Sequence, residues 1–311
     1  MKKIMIFLLI TVLSVTGISV GCTANDDPPV TEEENMFDEK ADNEQILEEF
    51  RTLVAEADFP KSVVDYADEI VIDLDTETAS VMIFELSQYL SEFFNYDTKM
   101  WDNMERLNVY YDYSEGIDEE KIKETDVKEF YYDLIDSGYK LVAMEGMLNP
   151  IVDYRWMAKY NEYISEDISD YFELCAIESD QLSAKDAALV ISWDELGDRV
   201  LAAEKFLSEH SGSVAKGEVL YRYTRYLWMY MLGLNNTPTV EWETNKVKEE
   251  VLDSYNKFIE EHNDTISAEA VGNYIKLLSE IQFIIPYDNE EKYLDFDRSI
   301  DELIDNAKNS L

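Results

Sequence analysis

The sequence is poor in cysteine, proline, glycine and histidine, and each shortage argues against a class of protein. Two Cys in 311 residues are too few for a disulfide framework. Six Pro and ten Gly are few for an architecture built on many tight turns. The two His, His210 and His262, have no second histidine or cysteine at metal-ligand spacing. The sequence therefore predicts no metal site and no cofactor.

Basic residues are also scarce. The chain has 26 Lys and Arg against 68 Asp and Glu, which leaves a formal net charge of −42. Such a surface repels phosphate backbones, so we predict that the chain binds no nucleic acid. Its acidity predicts weak binding of divalent cations over the whole surface rather than at a dedicated site. A hydrophobic content of 46% still predicts a substantial folded core.

The N-terminus has the layout of an export signal. Lys2 and Lys3 precede an apolar run over residues 4–15, and small residues then lead to Cys22. This layout resembles the signal of bacterial lipoproteins, in which the cysteine at the cleavage site receives a diacylglycerol thioether and becomes the mature N-terminus. A transmembrane helix is the alternative, but the apolar run is short for a membrane span.

The resemblance implies three regions and a location. Residues 1–21 are expected to be a lipoprotein signal peptide, and Cys22 to be the lipidation site. Residues 22–42 are expected to be an acidic, disordered tether, because they contain few large apolar side chains. Residues 43–311 are then an extracytoplasmic domain, held at the cell membrane by the lipid anchor. Cys175 remains as the single thiol, and its apolar neighbours predict a small buried core residue.

Helical periodicity dominates from residue 43 onward. Apolar residues recur at spacings of three and four, for example over residues 81–94 and 251–259. No segment shows a persuasive strand alternation, so we predict an all-α fold with a single helical domain. Helix starts are predicted at Thr76, Thr125, Pro150, Ser183 with Asp186, and Ser192 with Glu195.

A repeat with a spacing of 52 residues crosses the C-terminal half. Residues 205–210 align with residues 257–262, and each copy reads as a helix, a short polar turn and a second helix. The pattern resembles tetratricopeptide-type helical hairpins, which implies an α-solenoid-like stack. An irregular helical bundle is the alternative. His210 and His262 fall at equivalent helix ends, where we expect a structural role.

A further group of short motifs resembles functionally unassigned lipoproteins of Gram-positive bacteria. The motifs are Gly138-Tyr139, Glu145-Gly146, Pro150, Asp153-Tyr154 and Asn236-Thr237-Pro238. The resemblance spans residues 125–245 and implies location and helical architecture.

Arginine is the scarcest charged residue, and its distribution suggests a site. Arg222 and Arg225 lie three residues apart among aromatic residues, so they share a helical face. Glu145 falls on the apolar stripe of a predicted helix, where a carboxylate is costly unless it is paired. We predict a polar pocket for a carboxylate-bearing peptide or sugar, since arginine forks match planar anions. Its predicted residues are Glu145, Tyr154, Arg155, Arg222, Arg225, Asn235 and Asn236. The alternative is a set of internal ion pairs that fix the helix register.

Three functions are compatible with these features. The first is a lipid-anchored binding or scaffolding protein of the bacterial cell envelope, whose partner is an envelope protein or a cell-wall component. The second is a solute-binding lipoprotein that captures a small anionic ligand through the arginine and tyrosine residues. The third is a hydrolase that acts on carbohydrate with paired carboxylates. The sequence predicts no catalytic residue, which favours a binding role and leaves catalysis undecided.

Overall fold

The chain is predominantly helical. A computed structural model describes the backbone of residues 32–96, 98–112 and 116–311, and the side chains of residues 43–94, 100–112 and 116–311. The α-helices of these residues are α1 (Glu32–Glu56), α2 (Pro60–Ile70), α3 (Thr76–Tyr96), α4 (Thr98–Asn108), α5 (Thr125–Asp136), α6 (Glu166–Asp180), α7 (Trp193–Glu209), α8 (Lys216–Leu232), α9 (Glu249–Glu261), α10 (Ile266–Glu280) and α11 (Glu290–Asn309). The predicted all-α class is confirmed.

Contacts divide the chain into residues 1–41 and the compact unit 42–311. Helix α1 begins at Glu32, inside the segment 22–42 for which the sequence predicts a tether. The rest of that segment, with Cys22 and the predicted signal peptide, lies outside the described residues. No helix in the described residues is long and apolar enough to cross a membrane.

Four short antiparallel hairpins interrupt the helices of the described residues. Their strands are β1 (Tyr111–Asp112), β2 (Gly116–Ile117), β3 (Tyr139–Met144), β4 (Met147–Val152), β5 (Ala184–Lys185), β6 (Ala188–Leu189), β7 (Gly233–Leu234) and β8 (Thr237–Pro238). Each pairs only with its sequence neighbour, as β1–β2, β3–β4, β5–β6 and β7–β8. None of these hairpins was predicted from the sequence.

The longest hairpin, β3–β4, corrects two predictions. The apolar stripe that includes Glu145 was expected to be helical, but Tyr139 pairs with Val152 and Met144 with Met147. Glu145 and Gly146 form the two-residue turn with positive φ values of 50° and 78°, as a type I′ turn requires. Pro150 therefore lies within β4 and begins no helix.

The predicted helix starts had mixed outcomes. Ser192 forms the predicted capping box with Glu195 at the start of α7. Ser183 caps no helix, because it precedes β5 and its backbone N–H donates to the Glu178 carboxylate at 2.9 Å. Thr76 and Thr125 are the first residues of α3 and α5 rather than their caps.

The 52-residue repeat is visible as two helical hairpins, α7–α8 and α9–α10. His210 and His262 are the C-cap residues of α7 and α9, as predicted. Each imidazole packs on the phenylalanine one turn earlier, with ring centres 4.9 Å apart for His210 and 5.4 Å apart for His262. The two copies thus share a side-chain contact as well as a helix pattern.

The two hairpins are joined by polar contacts. The Glu204 carboxylate on α7 accepts hydrogen bonds from the backbone N–H groups of Ile266 and Ser267, at 2.8 and 2.9 Å, at the start of α10. A carboxylate at a helix N-terminus satisfies free N–H groups and opposes the positive end of the helix dipole. Lys257 on α9 pairs with Asp194 on α7 at 2.7 Å. Helix α11 packs against α10 and α8.

Candidate functional site

A cavity of about 470 Å³ lies between α3, α6, α8 and the β3–β4 hairpin, and we call it the Arg222 cavity. Its lining combines apolar residues with a few polar groups, as expected of a small-molecule site. The lining residues that carry a polar or ionisable group include Tyr139, Tyr154, Cys175, Glu178, Arg222 and Arg225. This volume falls within the range of small-ligand pockets.

Tyr154 and Cys175 are the buried part of this lining. Tyr154 is 7% exposed, and Cys175 is fully buried, which confirms the predicted core position of this thiol. Burial raises the pKa of Tyr154 and that of Cys175 above their ordinary values, so both groups are neutral at pH 7. Because these two groups carry no charge, they do not offset the positive charge of Arg222 and Arg225 in the cavity lining.

Arg222 on α8 carries a positive charge that no neighbour neutralises directly. Its guanidinium carbon lies 5.9 Å from the centre of the Tyr154 ring. Among the described residues, no carboxylate oxygen lies within 4.0 Å of its nitrogens. The Nε atom is buried and has no hydrogen-bond acceptor. A buried N–H without a partner costs about 1–3 kcal/mol, so the folded chain carries an unmet demand for an acceptor here.

Arg199 on α7 shows the opposite arrangement. It is 5% exposed, forms an ion pair with Glu178, and donates a second hydrogen bond to the Gln181 carbonyl oxygen at 2.7 Å. Tyr226 donates to the same Glu178 carboxylate at 2.9 Å, and burial followed by this carboxylate raises the pKa of Tyr226 to about 12. Glu178 is therefore engaged by Arg199 and Tyr226, although it lines the Arg222 cavity.

Arg225 lies one turn after Arg222 on α8 and is exposed. It lines the Arg222 cavity and an adjoining cavity of about 150 Å³, which Arg222 and Glu218 also line. No ion pair of Arg225 is found among the described residues. The predicted pairing of Arg222 with Arg225 in one site is therefore consistent with the geometry.

Arg155 and Glu145 lie outside this cavity. Arg155 is exposed and forms ion pairs with Glu173 and, at 2.9 Å, with Asp180. Glu145 lies on the exposed β3–β4 turn, where its backbone N–H donates to Asp186 at 3.0 Å. Arg155 thus forms ion pairs within the chain, as the alternative interpretation predicted. The predicted helical stripe around Glu145 is wrong, because this residue lies in a hairpin turn.

Asn235 and Asn236 form the turn between β7 and β8. The Asn236 backbone N–H donates to the Ala187 carbonyl at 2.9 Å, and its side-chain amide donates to the Asp186 carbonyl at 2.6 Å. Asn235 lines a different cavity, described below. Asn236 therefore joins the β7–β8 turn to the β5–β6 turn, and neither asparagine lines the Arg222 cavity.

Tyr139 and Glu178 were not predicted as site residues from the sequence, and Cys175 was predicted only as a core residue. Tyr139 is buried and donates to the Leu90 carbonyl oxygen at 2.7 Å. Cys175 and Glu178 are three residues apart on α6, so their shared helical face was visible in the sequence. The position of Tyr139 depends on the unpredicted β3–β4 hairpin, for which no comparable signal was available.

In the described residues, no group of three or more His, Cys, Asp or Glu side chains is arranged to hold a metal ion. Comparisons with protein-family models, curated proteins and solved structures found no significant match to this chain.

Proposed function

We propose that this chain is a binding protein that holds a small anionic ligand, a carboxylate-bearing peptide or sugar acid, in the Arg222 cavity. The observation that carries the proposal is the unpaired guanidinium of Arg222, with its buried Nε lacking an acceptor. A carboxylate is a planar acceptor with two oxygens, and arginine binds it through two parallel hydrogen bonds.

Arg222 and Arg199 differ in what the loss of each side chain would cost the fold. Removing one partner of a buried ion pair leaves an uncompensated charge and costs about 3–5 kcal/mol. That cost applies to Arg199, whose partner Glu178 is 22% exposed in its side chain. It does not apply to Arg222, which has no described partner to leave unpaired. Arg222 is therefore retained at a cost to stability, as expected of a residue that serves binding.

The net charge of −42 does not exclude an anionic ligand. Salt screens charges beyond roughly 8–10 Å at physiological ionic strength, so the groups nearest the ligand dominate its binding energy. Those groups are Arg222, Arg225 and a Glu178 carboxylate already engaged by Arg199. The distant acidic surface slows the approach of an anion more than it weakens the complex.

The proposed location is the outer face of the cell membrane, with Cys22 as the lipid-bearing residue. It is supported by the lipoprotein-like signal in residues 1–22. Lipidation would concentrate the binding site at the membrane, where captured solutes pass. Scaffolding of an envelope partner and carbohydrate hydrolysis remain predictions of the sequence. The unpaired Arg222 favours ligand capture over both.

A binding titration of the full chain tests the proposal. Glucuronate and N-acetylglutamate are the probes. Glucose and N-acetylglutamine amide, in which both carboxyl groups are amides, are their uncharged counterparts. We expect the two anions to raise the melting temperature and the uncharged compounds to have no effect. Arg222→Gln should weaken anion binding at least about tenfold, because two charge-assisted hydrogen bonds are lost.

Stability without ligand provides the matched comparison. We expect Arg222→Gln to leave the free energy of unfolding unchanged or to raise it by about 1 kcal/mol. Arg199→Gln should lower it by about 3–5 kcal/mol. An Arg222→Gln variant that loses stability and binds anions as tightly as the unmodified chain would show that Arg222 is structural and refute the proposal. Equal binding of the charged and uncharged probes would refute it as well.

A further inference from the structure

A second cavity, of about 670 Å³, lies where the end of α8 meets the β7–β8 hairpin and α11. We call it the aromatic cavity, because four aromatic side chains line it: Trp228, Trp242, Tyr287 and Tyr293. Asn245 and Asp297 add polar groups to the same lining. It shares helix α8 with the Arg222 cavity but none of its lining residues.

Three of the four aromatic side chains of this cavity are open to solvent, and Tyr293 is half-buried. Trp242 is 73% exposed, Tyr287 is 44% exposed and Trp228 is 42% exposed. The other three tryptophans of the chain are partly buried against the core, at Trp101, Trp156 and Trp193. In the described part of the chain, neither Trp228 nor Trp242 packs on another aromatic ring. A group of exposed large aromatic residues around one concavity is typical of a binding surface.

The charge of the cavity has a single sign. Asp297 is the only ionisable carboxylate among the described lining residues, and no Lys, Arg or His is among them. Burial, then Tyr293 and Asp297, raise the pKa of Tyr287, so its phenol is neutral at pH 7. The rings of Tyr287 and Tyr293 lie 5.1 Å apart at 37°, beside that carboxylate. The lining thus offers the faces of aromatic rings and one negative charge. No basic side chain of the lining neutralises that charge.

We propose that the aromatic cavity binds an organic cation that carries a quaternary or methylated ammonium group. Such a cation is attracted to the faces of tryptophan and tyrosine rings by their quadrupoles, and its methyl groups fill apolar space. The Asp297 carboxylate supplies the counter-charge. The acidic surface of the whole chain raises the local concentration of cations at the cavity mouth.

An uncharged saccharide is the competing occupant, since sugar rings also stack on aromatic side chains. A saccharide would not require the pattern of one carboxylate and no basic residue in the lining. A lone carboxylate distinguishes a ligand from its competitors by charge only when that ligand is positively charged. The observations therefore favour the cation, and a saccharide is one of the outcomes of the test.

The test is a titration of the full chain with choline and with tetramethylammonium, followed by tryptophan fluorescence. The uncharged isostere of choline, 3,3-dimethylbutan-1-ol, and N-acetylglucosamine are titrated in parallel. We expect saturable binding of both cations at millimolar concentration and at least about fivefold weaker binding of the alcohol. Trp242→Ala and Asp297→Asn should each weaken choline binding about fivefold or more.

Control variants separate binding from folding. Trp193→Phe removes a tryptophan outside the cavity and should leave choline binding unchanged. Trp242→Phe keeps an aromatic face and should retain part of the affinity. Arg222→Gln should have no effect, which keeps this result independent of the proposed anion site. Equal affinity for choline and its alcohol isostere, saturable binding of N-acetylglucosamine without choline, or no response to either cation would each overturn the proposal.

Discussion

Individual residues of the same type have different roles in this chain because of the partners they meet. Arg199 is buried on a carboxylate, Arg155 pairs at the surface, and Arg222 is buried in part without an acceptor. The sequence neighbours of these arginines do not show which of them forms an ion pair. Each partner lies 18 or more residues away or is missing. Charge pairing is thus decided one residue at a time by tertiary contacts.

The surface pair of Arg155 gives a pH-dependent prediction. Hydrogen bonds from Arg155 and then Lys140 hold the pKa of Asp180 below its ordinary value of 3.8. Since the folded state favours the ionised form, the stabilisation is complete above pH 3.8 and is lost as the pH falls through the lower folded value. The side chain is 42% exposed, so solvent screening limits the effect to less than about 1 kcal/mol.

Urea unfolding of the unmodified chain and of Asp180→Asn at neutral and acidic pH measures this contribution. We expect Asp180→Asn to be less stable at pH 7 and the difference to shrink towards about pH 3. Asp264→Asn, at an exposed position in the turn between α9 and α10, is the control for removing a surface carboxylate that has no such ion pair among the described residues. A difference that stays constant with pH would contradict the assignment.

At the scale of elements, two glycines with positive φ, Gly138 and Gly146, lie at the start and in the turn of the β3–β4 hairpin, which the helical pattern did not predict. Gly138 has a φ of +84° and directly precedes β3. A Cβ atom at this position would lie 2.6 Å from a ring carbon of Trp156, closer than any normal contact. The entry to the β3–β4 hairpin therefore depends on glycine for both its backbone angle and the space it leaves.

Gly138→Ala should lower the free energy of unfolding by about 2–4 kcal/mol, from backbone strain together with the clash on Trp156. Thermal or urea unfolding measures this loss. Gly212→Ala is the matched control, because a Cβ there meets no atom within 4 Å. Equal effects of the two substitutions would show that the geometry at Gly138 is not needed. Because Tyr139 follows Gly138, we also expect Gly138→Ala to weaken anion binding in the Arg222 cavity.

At the scale of the whole molecule, mutual repulsion of acidic side chains opposes the compact state. The net charge of −42 is carried by 68 acidic residues, and most ion pairs of the described residues are at least partly exposed. Salt weakens both the repulsion and the exposed pairs, but exposed pairs contribute little each. The repulsion should therefore dominate the response to salt.

Stability should rise when sodium chloride is increased from about 10 mM to about 200 mM. The Debye length then falls from about 30 Å to about 7 Å, which is shorter than the separation of distant acidic side chains, so their repulsion is screened. Urea unfolding at fixed pH gives the free energy at each salt concentration. Calcium chloride at the same ionic strength tests the expected weak binding of divalent cations, which predicts a larger rise. A decrease with sodium chloride would mean that ion pairs outweigh the net repulsion.

The sequence predicted helical features that depend on nearby residues. The 52-residue repeat, the helix ends at His210 and His262, and the Ser192 capping box follow from spacings of a few residues, and the structure contains them. The β3–β4 hairpin was missed because Leu141, Met144 and Leu148 are spaced by three and four residues, which is typical of a helical stripe, although two of them lie on β3 and one on β4. A two-residue turn between Met144 and Met147 removed the ambiguity.

By itself the sequence determined the all-α class, the helical hairpins and the acidic surface, because periodicity, capping and composition are local or summed properties. Only the tertiary structure decided which arginines are paired and where the two cavities lie. Those features depend on side chains from distant segments: the Arg222 cavity joins α3, α6, α8 and the β3–β4 hairpin, and the aromatic cavity joins α8, α11 and the β7–β8 hairpin. The spacing of nearby residues does not predict these long-range contacts, because they depend on how the helices and hairpins pack together.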